Sequence, residues 1–184
     1  MQAPGITRHR RPFLAPLWVS LLAALVFAGV VWTFYRGVTT TVIVLVRPVE
    51  KEPGTIEDPP VSPEGEAQAQ RLAQMFGMAS GAGGLDAIYE SDDRRAQQTV
   101  APLAERLHRA PVVFRSEAVK AAAARILREH GGGTVLVVAS GSSLPLMIRE
   151  LGGIDPAGLP SDPNTFFVIS LPSFGRAHLV RFSF

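Results

Sequence analysis

Three places in this 184-residue chain bring together residue types that could do chemistry. The first is Arg47-Pro48-Val49, directly after the apolar run Thr41–Val46. The second is Glu90-Ser91-Asp92-Asp93-Arg94-Arg95, after a short apolar segment. The third is the small-residue turn Ala139-Ser140-Gly141-Ser142-Ser143, after Thr134–Val138. Loops that follow strands in α/β domains are common sites of chemistry. A guanidinium offers a planar fork of donors that can hold two oxygens of an oxyanion. Arg47 and Arg95 are therefore candidates to bind phosphate, sulfate or an acidic side chain. Equally, each could pair with Glu90, Asp92 or Asp93 and be inert, since acids beside Arg95 would partly neutralise a site there. Turnover further requires a nucleophile and a proton-transfer group. The nitrogen of Pro48 is tertiary and acylated, so it can neither attack nor donate a hydrogen bond. Ser140 could attack only if a base activated it, and its setting also suits a plain turn residue. The four histidines do not fall at these places. His9 is near the N-terminus, His108 and His130 are near predicted helix ends, and His178 is in a late strand.

The elements that must position these residues alternate between strand and helix. Thr41–Val46 is β-branched and uninterrupted, as a buried strand is. Glu50–Val61 is a polar, proline-rich loop. Ser62 is placed as an N-cap, with Pro63 at the first helical position and Ala69, Leu72, Ala73 and Phe76 at helical spacing up to Gly77. After a turn over Met78–Gly84 comes a strand at Leu85–Tyr89. Ala96, Val100, Leu103, Ala104 and Leu107 form the next helical stripe, which Pro102 should kink or divide. Pro111–Phe114 is a third strand, and Ser116 is expected to cap a helix running to His130. Gly131-Gly132-Gly133 precedes a strand, so it reads as a helix stop rather than a phosphate loop. Thr134–Val138 is a further buried strand and Ser142–Leu151 a short helix. Phe166–Leu171 and Ala177–Phe182 close the domain as a strand pair. This alternation argues for an α/β fold with a mainly parallel sheet covered on both faces. Lys51 and Glu52 read as solvated loop residues, and Met75, Met78 and Met147 as core filler.

The segment Ser91-x-x-x-Arg95-Ala96-x-Gln98-Thr99 resembles the second signature of the histidine phosphatase (phosphoglycerate mutase-like) superfamily, and the chain resembles especially its short, SixA-like members. Asp58–Gly65 and Ala101–Glu105 also resemble family segments, and the resemblance covers nearly all of residues 40–184. It implies a three-layer α/β domain in which two arginines and two histidines surround a phosphoryl group at the strand ends. On this resemblance Arg47 and Arg95 match the phosphate-binding arginines. The nucleophilic histidine is replaced by Pro48, and the second histidine by Ser140. The expectation is a pseudoenzyme with no catalytic residue, no metal and no cofactor, whose Arg47/Arg95 pair could still bind an anion.

Phe13–Tyr35 contains no charged residue and is long enough to span a bilayer as a helix. Trp18, Trp32 and Tyr35 lie toward its ends, as interfacial aromatics do, and Arg8, Arg10 and Arg11 precede it. The expected organisation is a basic cytoplasmic tail at 1–12, a transmembrane signal anchor at 13–35, a linker at 36–39 and a phosphatase-like domain at 40–184. The alternative is a cleaved signal peptide, for which no clean Ala-x-Ala site follows. The positive-inside bias puts the N-terminus in the cytoplasm and the domain outside, and the expected location is a bacterial inner membrane with the domain in the periplasm. The net charge of +2 is uneven. Removing four arginines up to Arg36 leaves 18 − 4 = 14 basic against 16 acidic residues. No basic stripe interleaved with aromatics suggests nucleic acid as a partner. The lack of cysteine excludes disulfides and thiolate metal sites.

Three functions follow from these features. One is a membrane-anchored, non-catalytic accessory or scaffold subunit of a membrane protein complex, such as a respiratory or photosynthetic one. Another is a phosphohydrolase using Arg47, Arg95 and either Ser140 or a water. The last is a sensor that binds a phosphorylated or anionic ligand without turnover.

Overall fold

A computed structural model describes residues 17–37, 39–54, 58–78, 84–141, 143–153, 155, 165–173 and 175–183. Two compact units, Met1–Gly37 and Val38–Phe184, make up the chain. The first holds helix α1, Leu17–Gly37, whose large side chains (Leu21, Leu25, Phe27 and Trp32 among them) are exposed. Its described side chains run from Trp18 to Thr33, about 24 Å of helix at ~1.5 Å per residue. Among the described residues no helix is long and apolar enough to cross a membrane. The basic tail and Phe13–Pro16 lie outside the described residues.

In the second unit the order is β1 (Thr40–Val46), α2 (Pro63–Gly77), β2 (Ala87–Ser91), α3 (Arg94–Leu107) and β3 (Val112–Phe114). A 3-10 turn (Ser116–Ala118), α4 (Val119–Glu129), β4 (Thr134–Val138), α5 (Ser143–Gly152), β5 (Thr165–Pro172) and β6 (His178–Ser183) follow. The six strands form one sheet in the order β3-β2-β4-β1-β5-β6. The first four are mutually parallel, while β5 runs antiparallel to β1 and β6 antiparallel to β5. The result is an α/β fold with a mixed, mostly parallel sheet.

Alternation along each strand divides the apolar residues between two cores. Ile43, Leu45, Tyr89, Val135, Val137 and Phe167 pack with Ile126, Met147 and Ile148 of α4 and α5 on one face. Val44, Val46, Ile88, Leu136 and Val138 pack with Leu72, Val100 and Leu103 of α2 and α3 on the other. Each large side chain fully buried in this way favours folding by about 1.5–3 kcal/mol. The continuous apolar runs of β1 and β4 reflect their central places, covered on both faces.

Local chemistry sets the element ends. Ser62 accepts the Gly65 N–H at 3.0 Å, with Pro63 opening α2 as expected. A Cβ on Gly65 would lie 2.7 Å from Val61 Cγ1 and also meet the Glu50 carbonyl, so only glycine lets α2 approach the loop after β1. Gly132, at φ +83°, makes the turn between α4 and β4 against Thr39. Several expectations are corrected. β2 lies two residues later than read, because Asp86 ends the preceding turn by accepting the Thr134 N–H at 2.7 Å. Pro102 sits inside an undivided α3. Ser116 caps nothing; its hydroxyl and N–H both donate to Asp92 Oδ1, at 3.0 and 3.1 Å. Met75 and Met78 are exposed, and only Met147 is core.

Candidate functional site

Residues after the carboxyl ends of β1, β2 and β4 line a cavity of about 290 Å³: Lys51, Asp58, Pro59, Asp93, Arg95, Ser140 and Gly141. The strands converge there because they are parallel, so that every loop leaving them emerges at the same edge. The loop after β1 is held back on itself by Ser62 N–H to Glu50 O and Glu52 N–H to Pro60 O, each 3.0 Å. This carries Lys51 and Asp58 to the cavity from opposite ends of one excursion.

The signature after β2 acts as a clasp. Asp93 caps α3, accepting the Ala96 N–H at 3.0 Å and the Ser91 hydroxyl. Asp58 reaches the same helix end from the other loop, accepting the Arg94 N–H at 3.2 Å. The Thr99 hydroxyl donates to the Arg95 carbonyl at 2.7 Å and accepts the Val49 N–H at 3.2 Å. Gln98 Oε1 accepts the Val61 N–H at 2.9 Å. Thr99 and Gln98 thus tie the loop after β1 to α3, and Arg95 leaves that helix toward the cavity.

Of the predicted residues, Arg95 and Ser140 come together in the cavity. Pro48 is buried, and Arg47, half-buried, is not among the residues lining it. The Arg47 Nε is buried with no protein partner among the described residues. The suggested pairing of Arg95 with Glu90, Asp92 or Asp93 is absent among the described ion pairs. Instead Asp93 accepts from the Ala96 N–H and the Ser91 hydroxyl, Asp58 from the Arg94 N–H, and Asp92 from Ser116. Two cations, Lys51 and Arg95, therefore face two carboxylates already engaged by N–H donors. Sequence reasoning took Lys51 for a solvated loop residue and gave Asp58 no role at the site. Both belong to a long polar loop, and Asp58 also opens a family-like segment, but neither signal reveals that the loop folds back.

Glu90, at the end of β2, is 6 % exposed, and its Oε2 has no protein partner among the described residues. Burial, reinforced by the neighbouring Asp93 charge, raises its pKa from the ordinary carboxylate range to about 7. Sequence reasoning treated this residue as a partner for arginine rather than as a buried acid.

The histidines lie elsewhere. His108 follows α3, His130 follows α4 and opens the turn into β4, and His178 starts β6 opposite Ser170. All three are at the amino-terminal edge of the parallel strands, opposite the cavity. The His130 Nε2 is 3.2 Å from the Tyr89 hydroxyl. His9 and Ser142 lie outside the described residues. Among the described residues no group of His, Cys, Asp and Glu could hold a metal.

The sequence model of the histidine phosphatase superfamily (branch 1) matches residues 47–118. Among curated proteins none matches the chain. Solved structures do match. One, assigned as the phosphohistidine phosphatase SixA of Nakamurella multipartitia, is 21% identical, with 77% of this chain and 94% of that chain covered and a TM-score of 0.54. A mycobacterial glucosyl-3-phosphoglycerate phosphatase is 15% identical over 76% of this chain and 97% of its own, with a TM-score of 0.60. The protein histidine phosphatase SixA in complex with tungstate is 17% identical over 77% and 96%, with a TM-score of 0.58. At these identities the likeness speaks for the fold alone. The sequence match runs through both arginine-bearing segments, from Arg47 across Arg95, so residues 47–118 are similar to the histidine phosphatase superfamily, and the likeness to the solved structures extends that fold over the rest of the domain.

Proposed function

We propose that this protein is a membrane-anchored pseudo-phosphatase, a non-catalytic accessory or scaffold subunit of a membrane protein complex. The observation that carries the reading is the absence of imidazole from the site. Pro48 and Ser140 stand at the two histidine positions of the family, and the described histidines lie at the opposite edge of the sheet. A serine without a base is a poor nucleophile at neutral pH, and proline is none. The uncharged stretch Phe13–Tyr35 and the arginines before it support the anchor, with the N-terminus in the cytoplasm and the domain in the periplasm. Gentle detergent extraction and native mass determination test the subunit role. The expected result is a larger assembly; a free monomer at native expression level contradicts it.

A second reading, a sensor for a phosphorylated or anionic ligand, draws on one observation. Lys51 and Arg95 line the cavity and neither has an ion-pair partner among the described residues. Fixed cations of this kind hold oxyanions without any nucleophile. Calorimetric titration of the purified chain with inorganic phosphate or tungstate should show binding that Arg95→Ala removes, if this reading is right. The phosphohydrolase reading needs the same cations and a water or Ser140 activated by a group other than histidine.

A further inference from the structure

The sheet ends in two edge strands, and a cavity runs beside one of them. β3 pairs only with β2, so its outward N–H and C=O groups have no strand partner among the described residues. Along it lies a cavity of about 250 Å³. Val112, Val113 and Phe114 all line this cavity, although successive side chains of a strand point to opposite faces. The cavity therefore follows the open edge of β3 rather than one face of the sheet. Val113 is 53 % exposed there. The other wall is α4 and the turn before it, where Ala118, Ala121 and Ala122 recur at helical spacing. Their small side chains leave room for another chain between helix and strand. From Ala118 to Arg125 this wall runs about 10 Å at ~1.5 Å per residue, the length of three extended residues.

Among its described lining residues are two cations and no acid. Arg115 directly follows β3, and the Arg125 charge is felt at Tyr89, the residue of β2 that pairs with Val112 at the start of β3. The two arginines thus stand toward opposite ends of the groove. Each meets one acid at the surface: Arg115 Nε is 3.9 Å from Glu117, and Arg125 Nε is 2.9 Å from Glu129. Ion pairs this exposed hold weakly, and each is made through one guanidinium nitrogen. The remaining N–H groups can receive a further carboxylate.

We infer that this edge docks an extended, acidic segment of a partner protein. The segment adds to β3 as a seventh strand, sets apolar side chains against the alanines of α4 and gives carboxylates to Arg115 and Arg125. The inference rests on the subunit reading and names the surface and the chemistry by which the partner is met. The unpaired backbone of β3 selects an extended chain, because a helix has bonded its N–H and C=O groups within itself. Charge selects an acidic one. A second copy pairing through its own β3 would bring Val112-Val113-Phe114 and two more arginines, with no acid in the strand to meet them.

Photocrosslinking of the full chain at its native expression level tests this. A benzoylphenylalanine replaces Val113 or, as a control on the opposite edge strand, Val180; the assembly is extracted gently in detergent, and the linked peptides are sequenced by mass spectrometry. Position 113 should link to one segment in which acids alternate with apolar residues, and position 180 should not link to it. Arg115→Glu with Arg125→Glu should cut the yield by about tenfold or more, and lysines in place of the acids of that segment should restore it. Restoration shows that the reversed chain is folded; a loss that the lysines do not repair overturns the inference. Linkage to a segment without acids, or linkage indifferent to the reversed charges, also overturns it. Linkage of position 113 to this chain itself overturns it in favour of a second copy. A large assembly with no linkage at position 113 overturns it and leaves the subunit reading standing. A free monomer by native mass overturns both together.

Discussion

Glu90→Gln isolates the most unusual buried group in the domain. The carboxyl has a folded pKa of about 7 against an ordinary value of 4.5. Folding therefore favours its protonated form. Below pH 4.5 it is protonated in both states and carries no penalty. As pH rises, the unfolded chain ionises first, and stability falls by about 1.36 kcal/mol per pH unit until the folded carboxyl also ionises near 7. The full loss is on the order of 3 kcal/mol, enough to matter in a domain whose total stability is roughly 5–15 kcal/mol. Glutamine keeps the shape and cannot ionise. Its stability should lie within about 1 kcal/mol of wild type at pH 5 and exceed it by about 3 kcal/mol at pH 8. Urea titrations followed by far-ultraviolet circular dichroism at pH 5, 6, 7 and 8 measure this directly. Wild-type midpoints should decline across the series while those of Glu90→Gln stay level. Parallel declines for both proteins would refute the assignment of the penalty to Glu90.

Other substitutions probe the scaffold and the cavity. Thr99→Val removes the hydroxyl that joins Val49 N–H to the Arg95 carbonyl, leaving a buried donor unmatched. It should cost about 1–3 kcal/mol in the same titrations. Gly65→Ala drives a methyl against Val61 and the Glu50 carbonyl, and should cost about 1–3 kcal/mol as overpacking, whereas Ala67→Gly on the exposed side of α2 should cost only ~1 kcal/mol. Arg95→Ala should leave stability within about 0.5 kcal/mol while removing whatever anion affinity the chain has, read by calorimetry with tungstate.

The sequence displayed its fold where periodicity and punctuation agree. The apolar runs of β1 and β4, the Ser62-Pro63 start of α2 and the closing β5–β6 pair are all local signals, and the structure places them as read. Failures came where tertiary contacts overrode local cues. The Ser116 hydroxyl donates to Asp92 instead of accepting a helix N–H as a capping serine would, and the undivided α3 accommodates Pro102. At the site, Arg95 and Ser140 could be brought together from sequence because both follow strands whose order the family resemblance supplies. Lys51 and Asp58 could not, since their convergence depends on a loop folding back through backbone bonds. Nor does local sequence show that Asp93 is committed to a helix cap, which is what separates Arg95 from the acids beside it.

The cations of the cavity and the lack of a histidine among its described lining residues pull the functional reading in different directions, and chemistry decides between them. A fold that only binds needs Arg95 and Lys51; a fold that turns over needs a nucleophile as well. The most direct measurement is phosphatase turnover by the purified full chain on an aryl phosphate and on a phosphohistidine peptide, beside Arg95→Ala and the double variant Pro48→His with Ser140→His. The account predicts no release of phosphate by the chain above the Arg95→Ala background. Robust turnover by the unaltered chain that disappears with Arg95→Ala would contradict it.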